Sequence, residues 1–268
     1  MPVTVAADPS VAAVVRAAAA EFSRLYPGPE VRVESASARG AMQALFGDRA
    51  QAAVLGRELA EEERQAARQA GIAVEALRWA RDGVAIVVHP SNPIEQLALQ
   101  DVGGVFAGTT TSWADVGGAD RRIVPVVQDP ESGISQFFVD QVMAGAGVAG
   151  PALTVAGDSL AAARVASDPA AIAFVSLPFA DRGVKALRIA PTRGLPSVEL
   201  DAQTVYEGRY PLVRFFNVVV RVPAAERVNE FNTFLCSEDG QRRALAAGWV
   251  PAAAPVRFTR RTPTRPSH

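Results

Sequence analysis

Hydrophobic positions along the chain follow two alternating periods. Residues 3–6 form a short apolar run, and beyond Asp8-Pro9-Ser10 the apolar residues Val11, Val14, Val15, Ala18, Phe22 and Leu25 recur at the spacing of a helix face. Pro27-Gly28 ends that pattern. Val31 and Val33 mark a second strand, residues 40–46 a short helix and residues 52–55 a third strand. Residues 60–70 form an acidic-then-basic helix that stops at Gly71. This order of strand and helix predicts an α/β domain.

Residues 83–88 are continuously apolar between Asp82 and His89-Pro90, the pattern of a strand buried on both faces. The stretch after it reads as loop-rich, punctuated by Pro90, Pro93, Gly103-Gly104, Thr109-Thr110-Thr111 and Gly117-Gly118. A second α/β segment follows, with strands at 123–127 and 171–175 and helices at 132–143 and 159–166. A long apolar strand at 215–222 then precedes two helices, 224–236 and 238–247. Trp113 and Trp249 lie in apolar turn contexts and read as packing residues, and His89, at the end of a strand, reads as structural.

The chain has 268 residues, 49% of them hydrophobic. At about 150 residues per domain this suggests two domains or one large one, and it excludes wholesale disorder. Twenty-seven basic against 28 acidic residues leave a net charge of −1, which excludes a broadly basic nucleic-acid binder. Only the arginines at 257, 260, 261 and 265 cluster, in what reads as a solvated tail. Cys236 is the single cysteine, so neither an intrachain disulfide nor a thiolate metal cluster can form. With only His89 and His268, a Ser-His catalytic centre would rest on His89 alone. The longest uncharged stretch, 141–157, is interrupted by Gly145, Gly147, Gly150 and Pro151 and does not read as a membrane span. No basic segment followed by an apolar stretch opens the chain. Two compartments stay open: the cytoplasm, or the outside of the membrane with a signal peptide already removed.

Three helix entrances share a small-residue character. Ser10, Ser37 and Ser132 each stand at the start of an expected helix, in Asp8-Pro9-Ser10, Ser35-Ala36-Ser37 and Pro130-Glu131-Ser132-Gly133. Each could cap its own helix, a contribution of about 1 kcal/mol. The alternative is that unpaired N–H groups, the positive dipole end and a hydroxyl make such a terminus an anion site.

Several segments resemble the phosphate-binding proteins of bacterial ABC importers, the PstS-like family. They are Asp82-Gly83-Val84-Ala85-Ile86-Val87-Val88-His89-Pro90-Ser91-Asn92-Pro93, Val105-Phe106-Ala107-Gly108, Ser112-Trp113-Ala114-Asp115-Val116-Gly117-Gly118, Ile123-Val124-Pro125-Val126 and Ser132-Gly133, in that order and spacing. Tyr210-Pro211-Leu212 and Gly248-Trp249-Val250-Pro251 extend the resemblance, which covers roughly residues 3–251. It implies a two-lobed periplasmic-binding-protein fold, type 2 like: two α/β lobes joined by two crossing strands, at 83–88 and around 212–220, with a ligand cleft between them. One lobe would comprise residues 1–84 and 213–268, the other 85–212.

Carried over position by position, the resemblance implies a ligand set of Ser10, Ser37, Arg57, Gln128, Ser132, Gly133 and Ile134. The chain also departs from the family pattern. Arg57 stands where the best-known members hold a carboxylate, although other branches share it. Gln128 replaces a frequent arginine, Ile134 the usual threonine after Ser-Gly, and Ser135 another frequent arginine. Cationic help would then come from the first lobe, through Arg57 and Arg39, and loss of the hydroxyl at Ile134 removes a donor worth about 1.5–3 kcal/mol to a charged ligand.

The resemblance implies a monomeric, non-enzymatic solute-binding protein outside the cytoplasmic membrane, without a cofactor. It would capture inorganic phosphate or a related tetrahedral oxyanion and present it to the membrane subunits of an ABC importer. The alternative keeps the fold as a sensor or interaction protein with altered or lost phosphate binding. An enzyme using Ser132 as nucleophile lacks a candidate base nearby in the sequence.

Overall fold

The computed structural model describes residues 2–149 and 151–252, so the arginine-rich tail expected to be solvated lies outside the described residues. The chain runs β1 (Val3–Ala7), α1 (Pro9–Leu25), β2 (Val31–Ser35), α2 (Ala38–Phe46), β3 (Ala52–Leu55), α3 (Glu61–Gln69) and β4 (Val74–Val88). It continues with β5 (Gln96–Ala98), α4 (Leu99–Phe106), a 3₁₀ turn at Trp113–Val116, β6 (Val124–Gln128), α5 (Gly133–Val142), β7 (Leu153–Val155), α6 (Asp158–Ser167) and β8 (Ala171–Ser176). A second 3₁₀ turn at Leu177–Phe179, β9 (Lys185–Ala186), β10 (Arg188–Ala190), α7 (Ala202–Tyr206), β11 (Val213–Arg221), α8 (Glu226–Cys236), α9 (Glu238–Ala246) and β12 (Val250–Pro251) complete it.

In the first lobe β1 is flanked by β2 and β3, all parallel, with Ala7 level with both Ser35 and Val54. This register places the carboxyl ends of the three strands on one edge, where open α/β sheets take their ligands. Helix α1 covers the sheet with Val11, Ala12, Val15, Ala18, Ala19 and Phe22, the face that the apolar spacing predicts. Phe22 packs against Phe231 and Phe234 of α8, and burying such a ring contributes about 1.5–3 kcal/mol. Trp79, Phe216 and Trp249 close the same core.

Strand β4 joins the lobes. From Val74 to Gly83 it pairs antiparallel with β11, and from Val84 to Val88 it pairs with β8. The sequence pattern predicts only its second half. Residues Glu75, Arg78 and Arg81 interrupt the first half, where only Trp79, Ala80, Asp82 and Gly83 are buried, so no period-2 signal forms. Val84 N–H donates to Leu212 O at 2.8 Å and Tyr210 Oη donates to Val84 O at 3.1 Å, which ties the two passages between lobes together.

In the second lobe β6 lies parallel to both β8 and β7. Its core stacks Phe138 on Phe174 at 4.2 Å between centroids, with Phe106 edge-on to Phe138. Trp113 is buried beside them and donates to Ala170 O at 3.0 Å. The stretch expected to be loop contains α4, whose Gly103-Gly104 has a packing cause. A Cβ at Gly103 would come within 3.0 Å of Val142 O, and one at Gly104 within 2.8 Å of Thr110 Oγ1. Close approach to neighbouring elements explains two glycines inside a helix. No described helix is long and apolar enough to cross a membrane.

Candidate interlobe binding site

The residues singled out by sequence fall on two facing edges. Ser10, Ser37 and Arg57 follow the carboxyl ends of β1, β2 and β3, while Gln128, Ser132, Gly133 and Ile134 lie at the carboxyl end of β6 and the start of α5. Ser37 caps α2, its Oγ accepting from Gly40 N at 3.1 Å, and Ser132 caps α5, accepting from Ser135 N at 3.3 Å. Helix α1 differs: its cap is Asp8, and Ser10 lies in the first turn.

Asp8 is 1% exposed, and its carboxylate joins the two edges. Oδ1 accepts from Ser10 N at 3.0 Å and Ser10 Oγ at 2.6 Å, whereas Oδ2 accepts from Gly133 N at 2.8 Å, across the cleft. The starts of α1 and α5 therefore share one negative charge. Contact here is tight, since a Cβ on Gly133 would stand 2.7 Å from Asp8 Oδ2 and 3.0 Å from Gly56 Cα. Only glycine fits.

Arg57 is buried and its charge is already paired. Its guanidinium makes a bidentate pair with Glu63, at 2.7 and 2.8 Å, donates to Glu58 O, and reaches across the cleft to Gln136 Oε1. Such a fork is strong and geometrically demanding, so the charge expected to neutralise a ligand is already paired. Arg39 is paired with Glu131 at 3.2 Å, again between lobes. Gln128 is buried with its amide donating to Asp158 Oδ1 at 2.8 Å, and Ser135 Oγ donates to Gln128 O at 3.3 Å. Ile134 is buried in the second-lobe core. Among the expected ligand residues, Gly133 and Arg57 make direct polar contact with the opposite lobe, and Ser10 touches the carboxylate that does so.

Beneath this edge lies a charged network that sequence reading missed. Asp82 and Arg214 face each other on β4 and β11, both side chains 0% exposed, with Arg214 Nε donating to Asp82 Oδ2 at 2.8 Å. Asp82 also accepts from Ser176 Oγ at 2.6 Å and Leu177 N at 3.0 Å. Arg214 Nη1 donates to Gly56 O at 3.0 Å, fixing the loop that meets Gly133. Ser176 N donates to Asp158, so the network continues to Gln128. Burial pushes the Asp158 carboxyl above its usual value, an effect that Arg214 partly offsets. A lone Arg inside the apolar run Leu212-Val213-Arg214-Phe215-Phe216 was the available signal, and for Asp8 it was an Asp directly before a Pro at a helix start.

Next to the bridged edges, a cavity of about 780 Å³ opens between α2 and α3 on one side and β6 and α5 on the other. It mixes apolar walls (Met42, Phe46, Phe174) with the paired Arg39 and Arg57. Its size falls within the range of small-molecule sites. Among the described residues no group of three or more His, Cys, Asp or Glu is placed to hold a metal ion.

Two lobes bridged by paired strands, with helix starts converging in the intervening cleft, define a binding protein of the periplasmic type. The sequence profile of the PBP superfamily domain matches residues 2–239, and the chain belongs to that family. It is 26% identical to the phosphate-binding protein PstS of Pseudomonas aeruginosa over 255 residues, covering 89% of this chain and 79% of that protein. Its structure is similar to that of an ABC-type phosphate transport receptor from Vibrio cholerae, with a TM-score of 0.82 at 26% identity over 92% of this chain and 99% of the other. A putative phosphate ABC transporter substrate-binding protein from Clostridium perfringens, solved with bound phosphate, shares the fold with a TM-score of 0.80 at 23% identity, over 94% of this chain and 100% of that one.

Proposed function

We propose that the chain is the solute-binding component of an ABC importer. It captures phosphate or a similar tetrahedral oxyanion between its lobes and presents it to the membrane subunits. The observation that carries this reading is the Gly133 amide, which donates 2.8 Å to an anionic oxygen at the start of α5 in the interlobe cleft. A helix start that already binds a carboxylate oxygen offers the field and donors that an oxyanion needs. Ser10, Ser37 and Ser132 would add hydroxyls between the lobes, which meet about the passages at β4 and β11 and exclude water. The names of the relatives, PstS and phosphate transport receptor, support the same ligand class.

In this reading the lobes divide at residues 84 and 212, where β4 changes partners from β11 to β8 and Val84 bonds Leu212. The protein acts as a monomer outside the cytoplasmic membrane and carries out no chemistry on its ligand. Isothermal titration with phosphate, sulfate and molybdate tests the reading: saturable heat is expected from at least one. No heat and no thermal shift with any of the three refutes it.

A further inference from the structure

We infer that Asp8 is a built-in anion of the interlobe site: its carboxylate holds the lobes together without ligand, and an incoming oxyanion has to displace it. An ordinary helix cap uses its side-chain oxygen on its own helix. Oδ1 of Asp8 does this with Ser10, but Oδ2 takes the Gly133 amide of the other lobe, 125 residues away in sequence. One charge thus serves two helix starts at once, the arrangement that a bound anion would otherwise supply.

The Gly133 N–H is already taken. The Gly133 position is closed by Asp8 Oδ2 and Gly56 Cα, and a tetrahedral oxyanion on the same amide would face a carboxylate of like charge. Two further interlobe ties, Arg57 to Gln136 and Arg39 to Glu131, are also made from the chain's own groups. Closure therefore depends on no outside charge. Ligand binding becomes an exchange of one anion for another, and apparent affinity is the intrinsic affinity multiplied by the fraction of molecules whose site is vacated.

The consequence for affinity rests on the oxyanion reading, whereas the consequence for shape does not, so both are measured. Small-angle scattering of the full chain and of Asp8→Ser is recorded with and without millimolar phosphate, and both proteins are titrated calorimetrically. Serine keeps a capping oxygen for α1 but removes the charge and cannot reach Gly133 in the same way. The native chain should be compact without phosphate and unchanged by it. Asp8→Ser should be expanded, contract with phosphate and bind it about tenfold tighter or more. Gly133→Ala reads the contact from the other side: its Cβ would meet Asp8 and Gly56, so it too should be expanded, whether or not Asp8→Ser folds. Ligand-free scattering that is the same for the native chain and both variants overturns the inference, as does a native chain that titrates while Asp8→Ser binds no tighter. If the variants are expanded and none of the proteins titrates, the carboxylate latch stands and the oxyanion reading falls.

Discussion

Replacing Asp82 by Asn should destabilise the protein by about 3–5 kcal/mol, because it leaves the Arg214 guanidinium buried without its countercharge. Both side chains are completely withdrawn from solvent, and Asp82 accepts bonds from Arg214 Nε, Ser176 Oγ and Leu177 N. Asn keeps one acceptor oxygen, and its NH₂ group then points at donors, so at least one bond is lost besides the charge. Domains of this kind carry about 5–15 kcal/mol of total stability, and urea m-values reach about 3 kcal/mol/M, so the midpoint should fall by roughly 1–1.7 M. Combining Asp82→Asn with Arg214→Met should cost clearly less than the sum of the single changes, since the second removes the stranded charge. A loss under about 1 kcal/mol, the value of an exposed ion pair, would refute the reasoning. Additive single losses would refute it equally.

Asp158→Asn tests burial of the second carboxylate. Both of its hydrogen bonds end on Oδ1, which Asn retains. Because burial raises the folded-state value, the native protein binds a proton that the unfolded chain releases above about pH 3.9, and Asp158 opposes folding increasingly as pH climbs past that point. Relative to the native chain, the variant should gain stability between pH 4 and pH 7 in urea titrations; an opposite trend would discard this account. Glu63→Gln should release Arg57 from its bidentate pair, weakening the fold by about 1.5–3 kcal/mol while tightening phosphate binding in calorimetry. Phe138→Ala, which removes a ring stacked on Phe174 and edge-on to Phe106, should cost about 3–5 kcal/mol and lower Tm by roughly 6–20 °C in a calorimetric scan.

What could be read from sequence follows from what is local. The α1 face, the apolar strand at β3 and the buried second half of β4 are set by the spacing of residues within each element, and the two-lobed architecture followed from ordered motifs such as Ser112-Trp113 and Ser132-Gly133. Helix α4 was hidden because its glycines answer to Val142 and Thr110, which no local pattern encodes. The first half of β4 was hidden because its neighbours, β11 and β12, bury only some of its residues. Arg57 was legible as a residue at a strand end but not as the partner of Glu63 and Gln136, which come from α3 and α5.

That pairing bears on how a near-neutral chain can hold an anion. Around the cleft Arg57 answers Glu63, Arg39 answers Glu131 and Arg214 answers Asp82, so these three cations bring no net charge to a ligand. Backbone amides at helix starts remain, with Gly133 as the demonstrated donor, and a helix terminus contributes about 0.3–1 kcal/mol to a nearby anion, up to about 2 when partly buried. Donors of this kind cannot be neutralised by a neighbouring acid; they can only be occupied. On the oxyanion reading, occupation by Asp8 controls such a site at the Gly133 N–H itself. Selectivity then depends on how well an oxyanion matches the amides and hydroxyls in place of a carboxylate, with overall charge playing little part.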